Sequence, residues 1–227
     1  YVKSYANPRA CILIRNTITQ YFLGMSKFST PDNMIAVTST NPPLHIVSSY
    51  LPPYDTLSQD LVPIETFLDE EKPINMIWSL DSNCKHSMWF SPVTDARGRR
   101  IVEFLSSYSL TTSNEKDLPT FSGAQGDSWI DITVTTVNSA NKVSNWRVSE
   151  ELTLSDHNLI LFNIMPNCTN TNLTRQRPTS TKKFATQAGK WDLFRQKNTK
   201  QKPALARINT QFRFQGRTRC VSHNNLE

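Results

Sequence analysis

Three short stretches set carboxylates beside an amide, a hydroxyl or an imidazole, each against an apolar run: Asp81-Ser82-Asn83, Ser128-Trp129-Ile130-Asp131 and Ser155-Asp156-His157. Histidine exchanges protons near neutral pH, and a carboxylate on its other nitrogen fixes the tautomer. His157 with Asp131 could supply such a pair. Asp81 and Asn83 could then orient or deprotonate a water, and Asp156 offers an oxygen donor of the kind hard divalent cations accept. Taken singly, each has a plainer reading. Asp-Ser-Asn after a strand is also the pattern of an Asx-turn, in which the side chain bonds nearby backbone, and a histidine after Ser-Asp can be a satisfied turn residue. Three polar tips in one chain favour a shared site.

The elements that must carry these tips can be read from the periodicity. Residues 74–80 form an apolar, strand-like run that stops at Asp81, and rigid strand ends are where sites on layered sheets tend to lie. Residues 130–135 alternate and would bring Asp131 in on one face. Residues 142–148 and 159–164 read as two further strands, the second following the Ser155-Asp156-His157 turn. Upstream, residues 10–14, 34–37 and 44–50 read as strands, the last ending in Tyr50; a lone His45 there reads as a packed or edge histidine. From Asp55, a plausible cap, Leu57, Leu61, Ile64, Phe67 and Leu68 recur at helical spacing up to Lys72-Pro73. A second helix is expected over 98–107, with Ile101, Val102, Phe104 and Leu105 mostly on one side, and a polar loop over 113–126. Strand, helix, strand, helix, then strands makes an α/β layered domain.

The net charge of +6 conceals a split. Residues 1–166 hold 12 Lys/Arg against 17 acids, and residues 167–227 hold 13 against two. A body of 1–166 with a basic linker or tail over 167–227 follows, the tail being either a polyanion-binding segment or a solvated linker. No apolar run nears the ~20 residues of a bilayer span, and no basic-then-apolar leader opens the chain. Cys11, Cys84, Cys168 and Cys220 are too sparse for a disulfide framework, which favours an intracellular setting. Asn167-Cys168-Thr169 and Asn172-Leu173-Thr174 match the glycosylation pattern but come without a secretory signal. Cys84 and His86 lack the second close pair a zinc site would need.

Asp81-x-Asn83 before Trp89, Ser128-x-x-Asp131 and Ser155-Asp156-His157, in this order, resemble the endonuclease/exonuclease/phosphatase (DNase I-like) superfamily. Leu80 before Asp81, Pro119-Thr120-Phe121 and Thr186-Gln187-Ala188-Gly189-Lys190-Trp191 resemble arthropod non-LTR retrotransposon endonucleases in particular. The resemblance covers about residues 9–166 and implies a layered β-sandwich flanked by helices. It also implies site roles: Asp81 as general base or acid, Asn83 as phosphate and water ligand, Asp131 as partner of His157, Tyr50 and Ser128 as phosphate contacts, and Asp156 as a carboxylate beside Mg²⁺ or Mn²⁺. Relatives carry some tens of residues before this point, with an Asn and a metal-binding Glu that have no counterpart here. The expectation is therefore an N-terminally truncated domain with weak metal binding and poor activity. The implied function is nicking of target DNA to prime reverse transcription, in the nucleus, with element RNA as a further partner of the basic tail and no membrane. The alternatives are another phosphoesterase of the same fold, or an inactive retroelement-derived fragment that binds nucleic acid. No apolar docking loop speaks for a membrane-headgroup enzyme.

Overall fold

The computed structural model describes residues 7–165 except 55, 152 and 154. In chain order they form strands β1 (Phe22–Met25), β2 (Asn33–Thr38) and β3 (Leu44–Tyr50), helix α1 (Leu57–Glu71), β4 (Asn75–Asp81), helix α2 (Ala96–Ser107), β5 (Leu110–Thr112), β6 (Phe121–Gly123), β7 (Gly126–Ser128), β8 (Asp131–Thr136), β9 (Val143–Val148) and β10 (Ile160–Ile164). Six strands make one sheet in the order β1-β2-β3-β4-β8-β5, while β9 with β10 and β6 with β7 form antiparallel pairs. The β3–β4 contact is parallel, with α1 as the crossover, and β4–β8 is antiparallel.

Alternation along β4 sorts the core into two layers. Met76, Trp78 and Leu80 join Val47, Ile132 and Val134 against the helices, where Leu57, Leu61, Ile64, Phe67, Ile101 and Leu105 are buried. Ile77 faces the other way, into a second cluster with Ala36, Ile46, Trp146, Val148, Ile160 and Phe162. Helices thus cover one face of the large sheet and the β9–β10 pair covers the other, which is the expected α/β layered architecture.

α1 buries the five residues its spacing predicts and stops where Lys72 turns left-handed, its N–H returning to the Leu68 carbonyl. Asp55 lies outside the described residues; the residue ahead of the helix is Thr56, whose hydroxyl bonds Asp60 rather than the helix backbone. α2 begins at Ala96, two residues before the expected start, because Asp95 caps it through the Gly98 N–H. His45 is a packed histidine, its ring tilted against Phe67 and Nδ1 facing the Asn75 carbonyl at 3.4 Å.

Two expectations need correction. Residues 10–14 have a strand's burial pattern, with Ala10 and Ile12 inside and Cys11 and Leu13 outside, yet they join no ladder. The Arg9 and Ala10 N–H groups both donate to the Pro31 carbonyl instead. Residues 113–126 are not loop throughout, since they contain β6 and the turn into β7. The tail over 167–227, Pro166 at the proposed boundary, both glycosylation patterns, Cys168, Cys220 and the motif at 186–191 lie outside the described residues.

Candidate active site

The strand register assembles the site. Tyr50 pairs with Asp81 across β3–β4, and Asp81 pairs with Asp131 across β4–β8. Residues paired across a ladder point to the same face, so the phenol and two carboxylates form one row at the edge of the layer shared with β9–β10. One step inside, Ser48, Ser79 and Thr133 form a second, buried row. Thr133 accepts the Trp146 indole N–H at 3.0 Å and so ties β9 beneath the first row.

His157 is brought to this row by contacts of Thr153 and of residues 155–158. Its N–H donates to the Ser155 hydroxyl, Thr153 Oγ1 donates to its carbonyl, and an isolated bridge joins it to Phe121. The Asn158 N–H donates to the Thr120 carbonyl and its side-chain amide to the Pro119 carbonyl. The imidazole then lies with Nδ1 3.0 Å from Asp131 Oδ2 and 3.1 Å from Oδ1, and with Nε2 3.7 Å from Asp81 Oδ2. All three residues are buried.

Burial and the proximity of Asp131 push the Asp81 carboxyl up from 3.8 to about 7, against the opposing pull of His157, the Asn83 N–H and Arg97. Burial alone would lower the His157 value, but the hydrogen bond and charge of Asp131, with the charges of Asp81 and Asp156, outweigh it and raise the imidazole above its ordinary 6.5. An acid that stays protonated unusually high beside an imidazole that holds its proton unusually well is the pattern expected of groups that trade protons near neutrality.

Asn83 sits in the left-handed region, with φ 47°. Its N–H donates to Asp81 Oδ1 at 3.2 Å, which is the Asx-turn, and its side chain donates to the Leu51 carbonyl at 3.0 Å. The turn reading and the site reading thus describe the same residues. Tyr50 is half-buried at the end of the row, with the Arg9 guanidinium 5.0 Å over its ring. Ser128 lies on β7 opposite Phe121, its carbonyl taking the Thr120 N–H. Asp156 is exposed and its carbonyl accepts the Ser122 N–H.

Among the described residues, Asp81, Asp131 and His157 are a grouping with metal-ligand atoms all within 4.8 Å of one another. Two carboxylates against one imidazole suit a divalent cation by charge, and carboxylate oxygen suits Mg²⁺ by hardness. Asp131 is engaged by His157, which leaves Asp81 as the freer oxygen donor of the three; Asp156 stands outside that grouping. Cys84 and His86 form no such cluster among the described residues. The Cys84 thiol is buried, bonds Ser82 and is pushed up to about 12 by burial, and His86 Nδ1 accepts the Met88 N–H.

Some supporting residues carried no assigned role in the sequence reading. Thr120 Oγ1 accepts the N–H groups of both Ile130 and Asp131, at 3.1 and 3.0 Å, where β8 begins. Asn114 extends the edge of β5 with its side chain, donating to the Asp131 carbonyl and accepting the Thr133 N–H. Phe121 meets the His157 ring edge-on at 5.0 Å. Pro119-Thr120-Phe121 was visible as a family signature, but nothing in its spacing reveals that it buttresses Asp131 and His157.

A sheet packed between helices and a second β layer, with an Asp–His–Asp cluster at one edge, defines the DNase I-like superfamily, and that is the class of this chain. More narrowly, residues 44–161 match the sequence model of the endonuclease-reverse transcriptase family, and the chain belongs to it. Among solved structures it is similar to the endonuclease domain of TRAS1, a telomere-specific non-LTR retrotransposon, at 30% identity and a TM-score of 0.59 over 63% of this chain and 68% of that one. It is also similar to a Neisseria 3′ phosphatase bound to product DNA hairpin, at 14% identity and TM-score 0.48 over 59% and 65% of the two chains. An AP endonuclease from Archaeoglobus fulgidus matches at 14% identity and TM-score 0.43 over 60% and 66%. No curated protein sequence matches the chain.

Proposed function

We propose that this chain is the endonuclease domain of a non-LTR retrotransposon protein, hydrolysing one phosphodiester of target DNA to leave a 3′ hydroxyl that primes reverse transcription. The observation that carries the reading is the meeting of His157 with Asp131 on one ring nitrogen and Asp81 on the other. Membership of the endonuclease-reverse transcriptase family and the likeness to the TRAS1 domain support it.

In this reading Asp131 holds the imidazole so that Nε2 faces the phosphate. The hydrogen bond and charge of Asp131 favour the protonated imidazole, a donor that neutralises a phosphate oxygen as negative charge builds. Asp81 takes the proton of the attacking water, and Asn83 and Tyr50 orient water and phosphate beside it. Ser128 adds a phosphate contact from the β7 end, and Asp156 would offer a further carboxylate oxygen to a divalent ion. Mg²⁺ or Mn²⁺, when bound, supplies positive charge to the phosphate oxygens. The β6–β7 turn, exposed at Ser122 and at residues 124–127, suits contact with bases or groove shape, while affinity comes mainly from phosphates. Among the described residues no helix is long and apolar enough to cross a membrane. A nuclear setting, and element RNA as a partner of the basic tail, belong to the same reading.

The test is nicking of supercoiled plasmid by the chain in Mg²⁺ and Mn²⁺, beside its His157→Ala variant. Divalent-dependent conversion to open circles, however slow, that is lost in the variant supports the proposal. Equal rates for the two proteins remove His157 from the chemistry. DNA binding without cutting in either ion leaves the chain a nucleic-acid-binding module.

A further inference from the structure

Arg97 lies outside the acid–imidazole cluster, yet its guanidinium spans the two loops that carry the row. Nε donates to the Ser82 carbonyl at 3.3 Å, just after β4, and Nη1 donates to the Tyr54 carbonyl at 2.6 Å, beyond β3. The Ser82 carbonyl and the Asn83 N–H belong to one peptide group, and that N–H donates to Asp81 Oδ1. A planar peptide cannot turn one end without the other. Holding the Ser82 oxygen therefore fixes the N–H that orients the Asp81 carboxylate. A cationic donor on the carbonyl also polarises the peptide and strengthens its N–H as a donor.

The arginine is delivered by a close junction. Asp95 caps α2 through the Gly98 N–H and, with its other oxygen, takes the Lys85 N–H at 3.1 Å, while its own N–H donates to the Lys85 carbonyl. A Cβ at position 98 would stand 2.1 Å from that carbonyl, so only glycine lets the first turn of α2 lie against residue 85. Seated there, Arg97 reaches back along the 82–85 loop. Its Nη2 is buried without a partner in the protein. An unpaired buried donor costs about 1–3 kcal/mol, so stability alone would be better served by a side chain with no polar atom left over.

We propose that Arg97 is a positioning residue for phosphodiester cleavage, acting through the Ser82–Asn83 peptide to hold the Asp81 carboxylate and Asn83 in attacking geometry. The assignment rests on the reading of Asp81 as the group that handles the water. Arg97 bonds the Ser82 and Tyr54 carbonyls and not the carboxylate or amide side chains placed at the phosphate, so its effect falls on kcat and not on KM.

The experiment is steady-state plasmid nicking by the full chain and its Arg97→Ala and Arg97→Lys variants, with and without millimolar guanidinium, alongside ¹H–¹⁵N spectra of each. Arg97→Ala is expected to lower kcat about 10–100-fold, the scale of a misplaced reacting group, with KM for DNA changed by less than about twofold. Lysine keeps the charge but not the fork and restores only part of the rate. Free guanidinium raises the rate of Arg97→Ala several-fold and leaves the wild type unchanged. The Asn83 amide resonance moves in Arg97→Ala and returns with guanidinium, while the Trp78 and Trp146 indole signals stay in place. Unchanged kcat in a folded Arg97→Ala, a loss confined to KM, or a loss that guanidinium does not relieve overturns the proposal. If Arg97→Ala does not fold, full wild-type kcat in Arg97→Lys overturns it as well. A wild type that does not nick refutes the catalytic reading of the chain instead, and the Asn83 resonance then decides the contact: an unmoved amide overturns the Arg97 assignment whether or not the chain cuts.

Discussion

Replacing Asp81 with asparagine should make the folded chain more stable and abolish cutting. Asp81 is 4% exposed and directly opposite Asp131 in the ladder, and its carboxyl is raised from 3.8 to about 7. The unfolded chain gives up this proton near pH 4 and the folded chain only near 7, so stability falls across that window and the loss is complete above it. At about 1.4 kcal/mol for each pH unit of that window, the wild type loses about 4 kcal/mol between pH 4 and 8. His157 adds to the decline at its upper end, because a raised imidazole contributes stability that disappears as pH climbs through its folded value. Asparagine keeps an oxygen to accept the Asn83 N–H and carries no charge to bury, but it also ends the attraction Asp81 exerts on the imidazolium. The net expectation is a gain of about 2–3 kcal/mol at pH 8 and little change at pH 4.5. Urea unfolding of both proteins at the two pH values reads this directly, with plasmid nicking alongside. A wild type whose midpoint is flat from pH 4.5 to 8, or an Asp81→Asn protein no more stable than wild type at pH 8, would refute the electrostatic argument. Retained nicking would refute the role.

Three further outcomes follow from individual contacts. Gly98→Ala puts a methyl group 2.1 Å from the Lys85 carbonyl; backbone must move, so thermal unfolding should show a loss of at least about 2 kcal/mol, together with slower nicking. Thr120→Val leaves the Ile130 and Asp131 N–H groups unpaired in the interior, an expected cost of about 2–4 kcal/mol in urea unfolding, and Thr120→Ser should restore most of it; an unperturbed valine variant would mean that water replaces the hydroxyl. If the 13 cationic residues over 167–227 engage phosphates, filter binding should lose much of its steep dependence on salt when that segment is removed. An unchanged salt slope would assign the phosphate contacts to the body.

Much of this site was legible because strand ends are written in composition. The run into Asp81 is largely apolar, residues 130–135 alternate, and the spacing of Leu57 to Leu68 marks the helix that the structure places between β3 and β4. What could not be read was pairing. Residues 10–14 are an unbroken apolar run whose burial alternates as in a strand, but such a run is silent on whether the N–H and C=O groups meet a partner; here they do not form a ladder. The hairpin from Phe121 to Ser128 was hidden for the opposite reason. Its members Ser122, Gly123, Gly126 and Asp127 have little strand propensity, and the hairpin is held by residues 156–158 bonding at 120–122 rather than by a hydrophobic period.

The same distinction explains which functional groups a sequence surrenders. Asp81, Asp131 and His157 are conspicuous because charge at the end of an apolar run is costly unless something uses it. Their supports are not conspicuous, because a Thr hydroxyl accepting two N–H groups, an Asn amide extending a strand edge and an Arg gripping carbonyls act on backbone, and backbone has no residue type. Gly98 and Asp95 look like an ordinary helix start, and only the 2.1 Å approach to Lys85 reveals that this start is pressed against the loop bearing Asn83. In this fold, then, the proposed reacting groups are set by which residues end the strands, whereas their precision is set by side chains that bond peptide groups one or two positions away. Substitutions of the second kind should leave DNA affinity intact while slowing the chemical step, which separates them in a kcat and KM comparison from residues that merely hold the substrate.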